Sequence, residues 1–161
     1  MDAPSLFSDR EAALLGALVD EGVDFLVVGL AAAMLQGAPA VTQDVDLWVA
    51  DLTGPRFLEA LRKSGATYIP PTAGSPPLLA GPGTELFDLV VHMHGLGDFR
   101  EEASRALHIR VGRVAVPVLP LSRIIASKKA TGRPKDLAIL PALEDALRIQ
   151  RRRAIVEARP T

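Results

Sequence analysis

Cysteine is absent from the 161-residue sequence, and aromatic residues make up only 4% of it. Without cysteine the chain cannot form a disulfide scaffold, a zinc finger, an iron–sulfur site or a cysteine nucleophile. No apolar run approaches the roughly 20 residues that a membrane helix needs. The start, residues 1–10, carries two acids and no basic n-region, so it does not resemble a signal peptide. We therefore expect a cytoplasmic protein with no membrane partner.

Hydrophobic residues account for 48% of the chain, which is enough to fill a core with Leu, Val, Ile and Ala. The length suits a single domain that spans residues 1–161. Charge is distributed unevenly: residues 121–161 contain ten Lys/Arg and four Asp/Glu, whereas residues 1–120 contain eight and fifteen. An acidic body with a basic helical segment from about residue 121 suits an enzyme that binds metal and phosphate. It suits a solvated basic helix equally well.

Hydrophobic periodicity and turn residues predict strands and helices that intermingle along the chain. The predicted helices cover residues 8–21, 31–36, 53–63, 99–106, 121–130 and 134–158. The predicted strands cover residues 25–28, 44–49, 67–69 and 85–93, followed by a hairpin at 107–119. Residues 70–83 are rich in proline and glycine and are predicted to be a loop. This order predicts an α/β (α+β) fold in which helices pack on one mixed β-sheet.

Three aspartates form the strongest chemical signal. Asp44 and Asp46 lie two residues apart on a predicted strand, so both side chains point to the same face. Two carboxylates this close repel each other unless a cation lies between them, and Mg²⁺ is the hard cation that prefers carboxylate oxygens. Asp88 lies among apolar residues of a later strand and would complete the site if the two strands pair. The pattern predicts a two-metal phosphoryl-transfer centre for Mg²⁺, with Mn²⁺ as the alternative cation.

Other polar residues are candidates for binding phosphate. Gly29 lies between a predicted strand and a predicted helix, where backbone N–H groups can approach a phosphate closely. Lys128, Arg133 and Lys135 are cations that either bind phosphates or remain solvated surface charges. His92 and His94 share the parity of Asp88, but two histidines do not make a zinc site, and lining a polar cleft is the commoner role.

The motifs together resemble those of a known superfamily. Gly29, Ala31, Gly37, Thr42, Asp44, Asp46 and Leu47 are followed by Lys128 and then by Gly132-Arg133-Pro134-Lys135-Asp136. This pattern resembles the nucleotidyltransferase superfamily that includes DNA polymerase beta. More closely, it is similar to small bacterial nucleotidyltransferases related to the toxins of type IV toxin–antitoxin systems. The sequence departs from their pattern at three positions: Leu30 replaces the second residue of the glycine pair, Ala40 replaces an arginine, and Ile139 replaces an acid.

The resemblance implies a function and a set of site residues. It implies Mg²⁺-dependent transfer of a nucleoside monophosphate from a nucleoside triphosphate to a hydroxyl, with release of pyrophosphate. Asp44, Asp46 and Asp88 would be catalytic and metal-binding. The nucleotide would contact six residues: Gly29, Leu30, Thr42, Lys128, Arg133 and Lys135. The implied acceptors are tRNA ends, protein hydroxyls and small molecules such as aminoglycosides, and the implied protein partner is a cognate antitoxin.

Two other interpretations stay open at the level of sequence. Leu30 and Ala40 favour a catalytically degenerate member that acts as a binding or regulatory module of a toxin–antitoxin type system. Alternatively, Asp44, Asp46, Asp88 and His92 could serve a metal-dependent phosphohydrolase. Release of free phosphate without nucleotide transfer would identify that third function.

Overall fold

A computed structural model of the chain describes residues 6–160. These residues contain six helices, α1 (Asp9–Asp20), α2 (Gly29–Leu35), α3 (Pro55–Lys63), α4 (Phe99–Ala103), α5 (Leu121–Thr131) and α6 (Pro134–Glu157). The seven strands are β1 (Phe25–Val28), β2 (Val45–Val49), β3 (Thr67–Ile69), β4 (Leu78–Ala80), β5 (Phe87–Val90), β6 (Leu107–Val111) and β7 (Val114–Val118). The predicted element order is therefore recovered, with one strand added.

Five strands form one mixed sheet in the order β5-β2-β1-β7-β6. β2 runs antiparallel to β1 and parallel to β5, whereas β1 runs parallel to β7 and β7 pairs antiparallel with β6. Helices α1, α2 and α5 contact the sheet or one another, and α6 packs on α5. The predicted class, a mixed sheet packed by helices, is confirmed.

Local sequence signals explain where several helices begin and end. Ser8 caps α1 in a capping box, because its hydroxyl accepts from the Glu11 N–H while the Glu11 carboxylate accepts from the Ser8 N–H. Pro55 and Pro134 occupy the first turns of α3 and α6, where the missing N–H costs nothing. Gly132 ends α5 in the left-handed conformation.

The core consists mainly of Leu, Val, Ile and Ala, as the low aromatic content predicts. All four residues of β1 are buried, which is typical of a central strand covered on both faces. Within residues 6–160, no helix combines the length and the apolar character that crossing a membrane requires.

Three local predictions were wrong. The predicted loop 70–83 contains β4, which pairs antiparallel with β3 in a separate two-stranded sheet. Asp44 precedes β2 instead of belonging to it, because the strand begins at Val45. The predicted strand 85–93 ends at Val90, so His92 and His94 lie in the following loop and strand alternation does not set their direction.

Candidate active site

Strand pairing brings Asp46 and Asp88 side by side. β2 and β5 are parallel neighbours, and Asp46 is the register partner of Asp88. On its other side β2 pairs with β1, where Asp46 lies opposite Val28, the residue before Gly29. The sheet therefore gathers residues that are distant in sequence around Asp46.

Asp44 lies at the entrance to β2 and is exposed. Its backbone N–H donates to the Thr42 hydroxyl at 3.2 Å, and that hydroxyl donates to the Asp44 carbonyl at 3.3 Å. Thr42 thus holds the backbone turn that carries Asp44, and it does not line the cavity described below.

The three carboxylates interact electrostatically. Burial raises the pKa of Asp46, and the neighbouring charges of Asp88 and Asp44 raise it further, while Lys128 acts in the opposite direction. Desolvation also raises the pKa of Asp88, with a smaller contribution from Asp44. Repulsion among these groups is the situation that a bound cation relieves.

Gly29 makes room for the Asp46 carboxylate. Its φ is +68°, a conformation that residues with a Cβ rarely adopt. A Cβ placed at Gly29 would lie 2.5 Å from Oδ2 of Asp46. Both the backbone conformation and the close approach therefore require glycine at this position.

Two cations are held near Asp46 by a buried acid. Lys128 Nζ lies 3.0 Å from Oδ1 of Asp136, and Arg133 Nε lies 2.7 Å from Oδ2 of the same carboxylate. Asp136 is only 1% exposed. The hydrogen bond from Arg133, followed by that from Lys128, holds the pKa of Asp136 below its usual range against the effect of burial. Sequence reasoning assigned no cation-holding role to Asp136, although its place in the Gly-Arg-Pro-Lys-Asp motif was the available signal.

A cavity of about 360 Å³ lies beside Asp46, and we call it the phosphate cavity; Asp44 and Asp88 do not line it. Its lining includes Gly29, Asp46, His92, His94, Ser127, Lys128, Thr131 and Arg133. The two histidine rings pack edge to face with centroids 5.2 Å apart. Of the six predicted nucleotide contacts, Leu30, Thr42 and Lys135 do not line the cavity. Lys135 is exposed on α6.

The donor set is suited to a hard divalent cation. Within residues 6–160, no group of three or more His, Asp or Glu side chains converges closely enough to hold a metal ion. Mg²⁺ does not need such a cage, because it usually binds one or two carboxylates together with substrate phosphates and water. Asp46, with Asp88 beside it and Asp44 at the strand entrance, offers that kind of oxygen set. The residues therefore fit Mg²⁺ that arrives with a phosphate-bearing substrate.

Known proteins share this architecture. No protein-family profile and no curated protein sequence matches the chain. A crystal structure of ANT(2'')-Ia in complex with adenylyl-2''-tobramycin aligns with a TM-score of 0.53 at 15% identity, covering 88% of this chain and 94% of that one. A solution structure of the same antibiotic-resistance factor aligns with a TM-score of 0.55 at 15% identity, covering 92% and 93%.

A third similar structure is an antigenic nucleotidyltransferase-like protein from Paracoccidioides brasiliensis. It aligns with a TM-score of 0.51 at 21% identity and covers 85% of this chain and 77% of that one. The chain therefore has the nucleotidyltransferase fold. The predicted superfamily resemblance is confirmed at the level of the fold.

Proposed function

We propose that this protein transfers a nucleoside monophosphate from a nucleoside triphosphate to a hydroxyl group, with release of pyrophosphate. The observation that carries the proposal is the phosphate cavity, which Gly29, Asp46, Lys128 and Arg133 line together. A cavity lined by a carboxylate and two cations suits a metal-bound polyphosphate.

The reaction needs little covalent participation from the protein. The acceptor hydroxyl oxygen forms a bond to the α-phosphorus, and the bond from that phosphorus to the bridging oxygen of the leaving pyrophosphate breaks. The hydroxyl proton passes to a carboxylate, for which we assign Asp88. The pairing of β5 with β2 places Asp88 beside Asp46, so a second carboxylate lies next to the site. Positioning and charge compensation supply the rest of the rate enhancement.

Asp44, Asp46 and Asp88 would hold Mg²⁺, or Mn²⁺ in its place. When bound, the cation would neutralise negative charge on the carboxylates and on the triphosphate. Gly29 keeps the Asp46 carboxylate close to the backbone at the start of α2. Thr42 contributes by holding the turn that presents Asp44.

Lys128 and Arg133 would bind the phosphates that leave as pyrophosphate. Asp136 fixes both side chains before substrate arrives, so less rotamer entropy is lost when the substrate binds. Lys135 projects from an exposed position on α6, and we assign it no phosphate contact.

For the acceptor we favour a small molecule. The structure of ANT(2'')-Ia with an adenylylated tobramycin supports this choice, because it joins this fold to a nucleotidylated antibiotic. The tRNA and protein hydroxyls that the sequence resemblance implies are the alternatives. The toxin–antitoxin role and an antitoxin partner stay predictions from the sequence.

A transfer assay tests the proposal directly. The protein is incubated with Mg²⁺ and each α-labelled nucleoside triphosphate, together with separate pools of small hydroxyl compounds, RNA and protein. We expect label in one pool and an equal amount of pyrophosphate. We expect Asp46→Asn and Asp88→Asn each to reduce the rate by about 10²–10⁴-fold. Asp20→Asn, an exposed change at the end of α1, serves as the control.

Each contradicting result has a definite meaning. Release of free phosphate without labelled product would replace the transferase by a phosphohydrolase. Triphosphate binding that depends on Lys128, with no turnover of any pool, would identify a binding module of the same fold.

A further inference from the structure

The five-stranded sheet has an open edge at β6. The strand order places β6 last, next to β7, and no strand of residues 6–160 pairs with the other side of β6. β6 and β7 form a hairpin in which Val111 pairs with Val114 across the two-residue turn Gly112-Arg113. The outer side of β6 is therefore the place where a further strand can join the sheet.

The pairing register shows which backbone groups of β6 point outward. Just beyond the end of β7, the Leu119 N–H donates to the Val27 carbonyl of β1 at 3.0 Å. Backbone groups alternate in direction along a strand, so the even-numbered residues of β7 point toward β6. Their register partners on β6 are Leu107, Ile109 and Val111. His108 and Arg110 lie between these partners, so their backbone N–H and C=O groups point away from the sheet.

A groove with apolar lining runs along this edge, and we call it the edge groove. It measures about 480 Å³ and lies between β6, the end of α2 and residues 145–157 of α6. Leu35, Leu107, Ile109 and Ile149 supply apolar surface. Leu107 is 39% exposed and Ile149 is 52% exposed, so a partner can reach this surface. Three consecutive residues of β6 line the groove, so it follows the edge of the strand as well as one face.

The surroundings of the edge groove are basic. Residues 107–114 contain two arginines and no acid, and residues 145–157 contain four arginines and two acids. One of these acids, Asp145, already pairs with Arg148. Within residues 6–160, none of the other five arginines forms a salt bridge. An occupant of the groove therefore gains from carrying negative charge.

These features separate the kinds of occupant. A second copy that paired through β6 would bring two basic edges together, and like charges oppose such pairing. RNA would satisfy the arginines, but no Phe, Tyr or Trp lines the edge groove to stack on its bases. An extended acidic peptide uses all the features at once, because its backbone pairs with the strand edge while its apolar side chains enter the groove.

We propose that the edge groove binds an extended acidic segment of a partner protein, which joins the sheet as a sixth strand beside β6. The backbone of the segment bonds to His108 and Arg110. Alternate apolar side chains enter the groove beside Ile149, and the acidic side chains between them face the arginines. The edge groove and the phosphate cavity share no lining residue, so this inference does not depend on the proposed function.

A peptide selection tests the proposal without knowledge of the partner. A library of random eight-residue peptides displayed on phage is selected against the full chain at about physiological salt. We expect enrichment of peptides that alternate apolar residues with Asp or Glu. The most enriched peptide is then labelled with a fluorophore, and its affinity is measured by anisotropy.

Two pairs of variants locate the peptide. Arg110→Pro removes an outward N–H that β7 does not use, whereas Arg110→Ala removes the same charge and keeps that N–H. We expect the proline variant to bind the peptide about tenfold more weakly than the alanine variant. Ile149→Glu places a negative charge in the groove and should weaken binding by about tenfold. Ile155→Glu is its control, because Ile155 is 62% exposed on the same helix and does not line the groove.

Amide hydrogen exchange supplies a direct readout of strand pairing. We expect the bound peptide to protect the N–H groups of His108 and Arg110 and to leave that of Ile109, which already faces β7, unchanged. Enrichment of no peptide, enriched peptides without the alternation, unchanged affinity in Arg110→Pro or Ile149→Glu, or no new protection on β6 would each overturn the proposal. Displacement of the peptide by oligouridylate that binds more tightly would assign the edge groove to RNA instead.

Discussion

At the residue scale, the closest contact of the site is between the backbone of Gly29 and the carboxylate of Asp46. The Asp46 carboxylate occupies the space that a side chain at position 29 would need. Any residue other than glycine must therefore push Asp46 away or move the start of α2. This contact explains why the sequence has a glycine at position 29, before α2 and the Asp-x-Asp motif of Asp44 and Asp46.

Gly29→Ala is expected to lose Mg²⁺-dependent ATP binding. The new Cβ would displace Asp46 and would also strain a backbone with a φ of +68°. Gly37→Ala provides the matched control, because its φ is +89° and nothing lies within 4 Å of its Cβ position. Both variants should lose about 1 kcal/mol of stability or more from backbone strain. Calorimetric titration should show that only the Gly29 variant loses the nucleotide, and equal losses in both would refute a special role for the contact.

At the scale of single elements, the loop between β5 and α4 is fixed by a buried ion pair. Glu102 of α4 has a fully buried side chain and accepts from Arg123 Nε at 2.7 Å and from Arg123 Nη2 at 2.8 Å. It also accepts from the Gly97 backbone N–H at 3.0 Å. Through these contacts Glu102 joins α5 to the loop that carries His92 and His94 along the phosphate cavity.

Glu102→Gln should destabilise the fold by about 2–3 kcal/mol, because Arg123 would lose its buried partner. Arg123 first, and the Gly97 N–H second, hold the pKa of Glu102 below its ordinary 4.5 against the effect of burial. The stabilisation is therefore complete above pH 4.5 and is lost as the pH falls through the lower pKa of the folded state. Chemical denaturation of both proteins at neutral and acidic pH should show a difference that shrinks only in acid.

Nucleotide affinity adds a second readout for the same variant. A loosened loop should raise the dissociation constant for ATP, because His92 and His94 line the phosphate cavity. Glu59→Gln is the control, since Glu59 also makes two hydrogen bonds to an arginine, Arg62, but on the exposed surface of α3. That variant should change neither stability nor affinity appreciably. A similar effect of both changes would show that burial is not the cause.

The sequence was informative about elements whose signals are local. The capping box at Ser8, the apolar run of β1 and the Pro-led helices are all encoded by neighbouring residues. The sequence did not predict β4 because this short strand lies among prolines. It forms by pairing with β3, in which Ile69 lies opposite Leu78 and Thr67 lies opposite Ala80. The end of β5 was placed too late because apolar residues continue through Val91 and Met93, although the pairing with β2 stops at Val90.

The site residues also divide into those with local sequence signals and those that depend on tertiary contacts. The residue types and spacing of Asp44, Asp46 and Asp88 indicated convergence, and the parallel pairing of β2 with β5 supplies it for Asp46 and Asp88. The contacts between elements that are distant in the sequence could not be predicted from residue types and spacing. The cation-holding role of Asp136 depends on α5 and α6 meeting, and the position of His92 and His94 at the phosphate cavity depends on the course of the loop after β5.

At the scale of the whole molecule, one side chain connects α2 and the end of β7 to α5, the helix that carries Lys128. Gln36, at the end of α2, is buried. Its amide donates to the carbonyls of Ala32 at 3.0 Å and Leu119 at 2.9 Å, and its Oε1 accepts from the Leu121 N–H at 3.0 Å. Because Pro120 offers no side-chain cap, Gln36 acts as the cap of α5 from a distant part of the chain.

Gln36→Ala should lower the stability of the whole fold, not of α5 alone. Leu119 and Leu121 are fully buried, so the freed carbonyl and N–H would each lose their partner at about 1–3 kcal/mol. A loss of about 3 kcal/mol corresponds to a fall in Tm of roughly 6–12 °C for a chain of this length. Trp48 fluorescence follows the sheet and far-ultraviolet circular dichroism follows the helices, and the two should shift together. Gln43→Ala, an exposed change, should leave both curves in place. If the helical signal alone melted early, α5 and α6 would form a separate cooperative unit, and the alignment of Lys128 with Asp46 would depend on packing elsewhere.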